Sequence, residues 1–272
     1  MSRPFARCLM ALCLFSVACT SAPLTGRSQF LPFPVSVENE IGANAWEEAL
    51  SQADQQGTLV IAGPQALEVQ RVGQAIADAA RRHPETRPLT QSYDWEFVLI
   101  ESEQVNAWAL PGGRSAVYTG LLGVATDEDE LAAVMGHEVA HALARHAGER
   151  MAQALIVNAG LTAAMLLSDD MDPEDRELLL ASLGLVSEAG VLLPFSRTHE
   201  SEADEIGLLL AADAGYDPRA AVRLWKKMGA LGVDRPPELL STHPSEATRI
   251  ANLTELMPEA MKVWKRAKAE GR

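Results

Sequence analysis

The chain has 272 residues, is 47% hydrophobic and 22% charged, and carries a formal net charge of -14. The apolar share supports one or two globular domains with a real core. The acidic balance argues against a nucleic-acid partner, because phosphate binding needs a basic surface.

The first residues read as an export signal. Arg3 and Arg7 precede the apolar run CLMALCLFSVAC, which is short for a membrane span and is followed by small residues. Ser16-Val17-Ala18-Cys19 resembles a bacterial lipobox, with Ser16 where leucine is usual. The expectation is a lipoprotein signal peptide over residues 1–18, with Cys19 lipidated and held at the periplasmic face of the bacterial outer membrane. Thr20, in place of an aspartate, sets outer against inner membrane. All three cysteines (Cys8, Cys13 and Cys19) lie in this stretch. Cleavage before Cys19 leaves no disulfide and no stray thiol for an oxidising compartment. Residues 19–40 carry several prolines and little periodicity, as a flexible tether would. Residues 41–272 are expected to form a single domain.

Residues 64–83 start at Pro64 and run amphipathically, which predicts a helix. WEFVLIES, 95–102, is rich in strand formers. NAWAL and SAVYTG flank Pro111-Gly112-Gly113-Arg114 as two arms of a hairpin. Thr126 or Asp127 can cap the next helix, whose acidic start suits a helix N-terminus. The apolar stretch 151–167 is broken by Gln153 and Asn158 and reads as a core helix. A further apolar helix runs to Pro194. Residues 196–214 form a helix ended by Gly215, and the tail is helical with a break at Pro236-Pro237. The pattern is that of a helix-rich α+β domain with a small antiparallel sheet.

Chemistry concentrates in VMGHEVAHALARH, 134–146. Positions four apart share a helix face, so His137 and His141 can grip one metal ion. Glu138 stands next to the first ligand, where a carboxylate can take the proton of a zinc-activated water. By itself H-E-x-x-H is weak, since unrelated chains contain it. The apolar face of Leu131, Val134, Met135, Val139 and Leu143 strengthens it. That face buries the helix, and buried polar groups need partners.

The third ligand decides the class. A metzincin needs glycine and histidine where Ala144 and Ala147 stand. His146 falls about 140° round a continuous helix from His141, off the ligand face, and reads as a surface or capping residue. A downstream carboxylate remains, from Glu174, Glu177, Glu188, Glu200, Glu202 and Glu205. Glu200 lies beside Ala203, Gly207 and Ala211, whose small side chains permit close helix approach. Asp204 shares that side and can accept from a ligand histidine. Glu202 and Glu205 turn away from the strip.

Here the chain resembles the zinc metallopeptidases that include the CAAX prenyl protease and the HtpX heat-shock protease. The resemblance spans roughly residues 65–255. It rests on H-E-x-x-H, on NAWALPGGRSAVYTGLL, on LPFSRTHESEADEIGLLLAADAGYDP and on STHPSEATRI. It implies a gluzincin domain binding one Zn2+ through His137, His141 and Glu200. Glu138 would be the general base, Asp204 the support of a ligand, and His243 a catalytic residue near the metal. Arg249 would pair with an acidic residue close by. The strand Asn106, Ala107, Trp108 and Ala109 would line the cleft and bind an extended substrate through its backbone. Within the family the chain looks closer to the soluble or lipid-anchored bacterial quality-control proteases and their mitochondrial inner-membrane relative. The resemblance implies unfolded or misassembled envelope proteins as substrates. A chaperone or assembly factor with latent proteolysis is the alternative function. Past the signal, no segment reaches the roughly 18 uninterrupted apolar residues of a membrane span.

Overall fold

The computed structural model describes residues 19–167, 172, 174, 193–231 and 246–272. The signal-peptide reading of 1–18, the helix before Pro194, the Pro236-Pro237 break and His243 all lie outside the described residues.

The segment expected to be a tether is paired and packed instead. Cys19–Ser21 (β1) and Ser28–Phe30 (β2) form an antiparallel pair, with Cys19 opposite Phe30. Gln29 and Leu31 are buried. Prolines and short polar residues gave no periodicity to read, yet the hairpin is held by long-range contacts that no local pattern announces. Helix α1 (Val35–Gln55) follows and buries Trp46. Helix α2 (Pro64–Arg82) has proline in its first turn, where no N–H is needed. It buries Val69, Val72, Ile76 and Ala80 on one face.

Strands β3 (Leu59–Val60), β4 (Glu96–Ile100), β5 (Ala107–Ala109) and β6 (Arg114–Tyr118) form one sheet in the order β3-β4-β6-β5. The short helix α3 (Arg87–Thr90) precedes β4, and α4 (Thr119–Leu122) follows β6. The expected hairpin is β5-β6, with Trp108 opposite Ala116 and both turn glycines at positive φ. The sheet is mixed, because β4 and β6 run parallel, Val98 opposite Ala116. Strand β5 is an edge. It packs on α5 (Glu128–Leu143), the helix that carries the H-E-x-x-H residues.

Helix α5 starts as its sequence dictates. The Asp127 carboxylate accepts from the Glu130 N–H at 2.8 Å, and Glu130 reaches back to the Thr126 N–H at 2.9 Å. From Glu130 to Leu143 nearly every side chain is buried. Against α5 pack α2, α7 (Leu193–Asp213) and α8 (Arg219–Ala230), while α9 (Glu246–Ala269) packs on α7 and α8. Gly215, at φ +96°, closes α7 as expected.

Helices α5 and α7 cross at two glycines. A Cβ on Gly207 would stand 2.7 Å from the His137 nitrogen, and one on Gly136 would stand 2.7 Å from the Gly207 oxygen. Only bare backbone fits there. Beyond α5, Arg145 adopts φ +54°, and α6 (His146–Leu167) starts directly after it. The strained turn is braced by the Arg145 guanidinium on Glu38 and on the Phe33 carbonyl. The expected core helix 151–167 is the outer part of α6. Leu155, Ile156, Met165 and Leu166 are exposed, though Ala152 and Gln153 are buried. No described helix is long and apolar enough to cross a membrane.

Candidate active site

The four-residue spacing on α5 points both imidazoles the same way. Their Nε2 atoms lie 3.1 Å apart. Helix α7, let in by the glycine crossing, brings Glu200 to them, 3.3 Å from His137 Nε2 and 3.5 Å from His141 Nε2. All three residues are buried. Tetrahedral zinc with bonds of ~2.0–2.1 Å to nitrogen and oxygen spaces its ligand atoms roughly 3.3 Å apart. The three distances fit that ion, and two imidazoles with one carboxylate are a donor set it accepts. Glu138 is buried beside them on α5.

Each histidine is held from behind. His137 Nδ1 lies 2.9 Å from an Asp204 carboxylate oxygen, which leaves Nε2 for the metal. Arg249, from α9, donates to Asp204 at 2.6 Å and to Glu200 at 3.0 Å, and its guanidinium stacks 3.7 Å from the Trp225 ring. Thus α8 and α9 fix the two carboxylates of α7. Burial and Arg249 depress the His137 pKa, but Asp204 and Glu200 outweigh them and raise it to about 9.

The second histidine is held by a residue that periodicity misplaced. His146 is fully buried, with Nδ1 2.8 Å from His141 Nδ1 and Nε2 2.9 Å from a Glu202 oxygen. It is neither a surface nor a capping residue. One continuous helix would turn His146 away from the ligand face, whereas the left-handed Arg145 just past α5 swings it back. Glu202, which also turns away from the small-residue strip, is buried rather than solvated because the N-terminal hairpin covers it. Arg27 and Thr25 both donate to it. No single signal in the sequence marks either residue.

Of the proposed substrate strand, Ala107 is buried, and the Trp108 ring packs edge-on against Trp46 at 5.6 Å. The Asn106 side chain accepts from the Ala107 N–H, and its carbonyl accepts from the Tyr118 N–H. Asn106, Trp108 and Ala109 are half-buried, and among the described residues β5 has one edge unpaired.

Two ligands one helical turn apart, a glutamate from a second helix and a carboxylate between the histidines make this a zinc metallopeptidase of the gluzincin kind. The model of Peptidase family M48 matches residues 64–257, and the chain belongs to that family.

Its relatives narrow the picture. The chain is 35% identical to the mitochondrial metalloendopeptidase OMA1 of Schizosaccharomyces pombe over 88% of its own length and 66% of that protein's. It is 35% identical to the mitochondrial metalloendopeptidase OMA1 of Homo sapiens over 65% of its own length and 35% of that protein's. It is 30% identical to the β-barrel assembly-enhancing protease of Escherichia coli over 58% of its own length and 33% of that protein's. The matched part is thus about a third of the human and bacterial proteins. These relatives correct the expected location. The yeast and human proteins are mitochondrial by name, which overturns the placement at the bacterial outer membrane read from the residues around Cys19.

Proposed function

We propose that the chain is a zinc-dependent metalloendopeptidase that cleaves unfolded or misassembled protein chains. The observation that carries this is the convergence of His137, His141 and Glu200, with Glu138 placed between the two histidines. When bound, zinc polarises the scissile carbonyl and brings the pKa of the attacking water to about 7. Glu138 would act as the general base, taking a proton from the attacking water and giving it to the departing amine. Asp204 and Arg249 keep His137 and Glu200 in place throughout. The edge strand β5, packed on the zinc helix, supports substrate binding by strand addition. Recognition through backbone favours extended, unfolded segments over any one sequence. The OMA1 relatives, named as metalloendopeptidases, support the reaction class.

The test is Glu138→Gln. The variant should keep one zinc per chain and lose cleavage of a denatured protein by about 10²–10⁴-fold, the usual worth of a general base. Cleavage at the wild-type rate by a zinc-loaded variant would refute the assignment.

A further inference from the structure

The N-terminal hairpin reaches the metal centre through an unbroken line of polar contacts. On it, Arg27 donates to Glu149 at 2.7 Å and 2.9 Å and to Glu202 at 2.9 Å. Thr25 adds a hydrogen bond to Glu202. Gln29 donates to the Ala144 carbonyl at 2.5 Å, just past the end of α5. Glu202 holds His146 Nε2 at 2.9 Å, and Glu149 holds His199 Nε2 at 2.9 Å. The His146 and His199 rings stack 4.2 Å apart, with 17° between their planes. His146 Nδ1 then meets His141 Nδ1 at 2.8 Å.

The direction of each bond is forced. Glu202 is a carboxylate and only accepts, so His146 Nε2 carries the hydrogen. His146 Nδ1 is then free to accept, and His141 Nδ1 must donate to it. That leaves the lone pair of His141 on Nε2, the nitrogen that faces His137 and Glu200. Asp204 does the same for His137 in one step.

We propose that the N-terminal hairpin is a working part of the metal centre, with Arg27 and Glu202 fixing His146, and His146 fixing the tautomer and ring orientation of His141. These are positioning residues. The proposal rests on His141 being a zinc ligand, as in the function proposed above. Neither the ligand set nor the H-E-x-x-H residues include any part of this line except His141.

The experiment measures zinc affinity by competition with a chelator, together with the visible spectrum of the Co2+-substituted protein. Both are taken on the full chain below its melting temperature. Arg27→Ala, which loosens Glu202 and through it His146, should weaken zinc, by no more than the roughly 10–100-fold usual for losing a direct outer partner of a ligand histidine. It should shift the cobalt bands and lower kcat with KM little changed. A second comparison needs no hairpin variant. Asparagine places a polar atom near Nδ1 of the histidine it replaces, and glutamine places one near Nε2. His146→Asn should therefore keep more zinc affinity and a more native cobalt spectrum than His146→Gln. Wild-type affinity and spectrum in Arg27→Ala would overturn the proposal. If Arg27→Ala does not fold, equal losses in the two His146 variants would overturn it. A wild-type protein that binds no zinc would instead defeat the reading of the site itself.

Discussion

Two carboxylates do unlike work on α7, and the difference is one of partners. Glu200 points at the histidine nitrogens, while Asp204, one turn on, points at the back of His137 and is held by Arg249. Replacing Asp204 by asparagine keeps the shape and removes the charge that favours the Nδ1–H tautomer. The variant should bind zinc roughly 10–100-fold more weakly while retaining its fold. A chelator titration beside a melting curve checks both halves. The residues of the centre differ sharply in how far the sequence exposes them. His137, His141 and Glu138 follow from a fixed spacing on one helix, and Glu200 and Asp204 from small neighbours on another. His146 and Glu202 do not. Their places depend on a left-handed residue between two helices and on a hairpin that arrives from over a hundred residues away. Helical periodicity carries no information about either.

At the scale of elements, the crossing of α5 and α7 sets everything else. Gly136 and Gly207 let the two backbones touch, and that contact places Glu200 within reach of both histidines. A methyl group at position 207 meets the main chain of Gly136 and His137 within 2.8 Å, and none of those atoms can swing away. Gly207→Ala should therefore cost about 1–3 kcal/mol of stability by overpacking, and should weaken zinc binding as the helices part. Thermal melts with and without zinc separate the two effects, since a variant whose only fault is stability would regain its full zinc-dependent shift. Helices α2, α5 and α7 and the β5-β6 hairpin were legible because each is bounded by proline, glycine or a capping aspartate, whereas the start of α1 fell in the stretch read as a tether. The parallel pairing of β4 with β6 was not, because alternation of apolar residues names a strand without naming its neighbour.

Across the whole molecule, the N-terminal hairpin acts as an ionic latch on the catalytic helices. Burial pushes the Glu149 carboxyl up, but hydrogen bonds from His199 and Arg27 outweigh it and hold its pKa at about 2. The ordinary value for such a carboxyl is 4.5. A folded pKa below the unfolded one gives stability that is complete above pH 4.5 and lost as pH falls towards 2. Glu202, also at about 2, adds to the loss in the same window. The melting temperature of the wild type should fall across that range. In Glu149→Gln it should start lower and fall less. Parallel curves for the two proteins would show that the latch carries no such linkage. The tether read from the prolines of residues 19–40 failed for a related reason: its order comes from charges that are distant in sequence.

The edge strand β5 is three residues long, and its side chains are buried or half-buried. Strand pairing repeats every two residues. A polypeptide laid along this edge can shift by one such step and meet the same donors and acceptors again. If β5 binds substrate as proposed, each shift would bring a different peptide bond to the metal site. An unfolded chain would then present many frames for cutting, and a folded domain, whose backbone is already paired, would present none. The enzyme would then judge its substrates by whether they have folded, with little regard for which residues they contain.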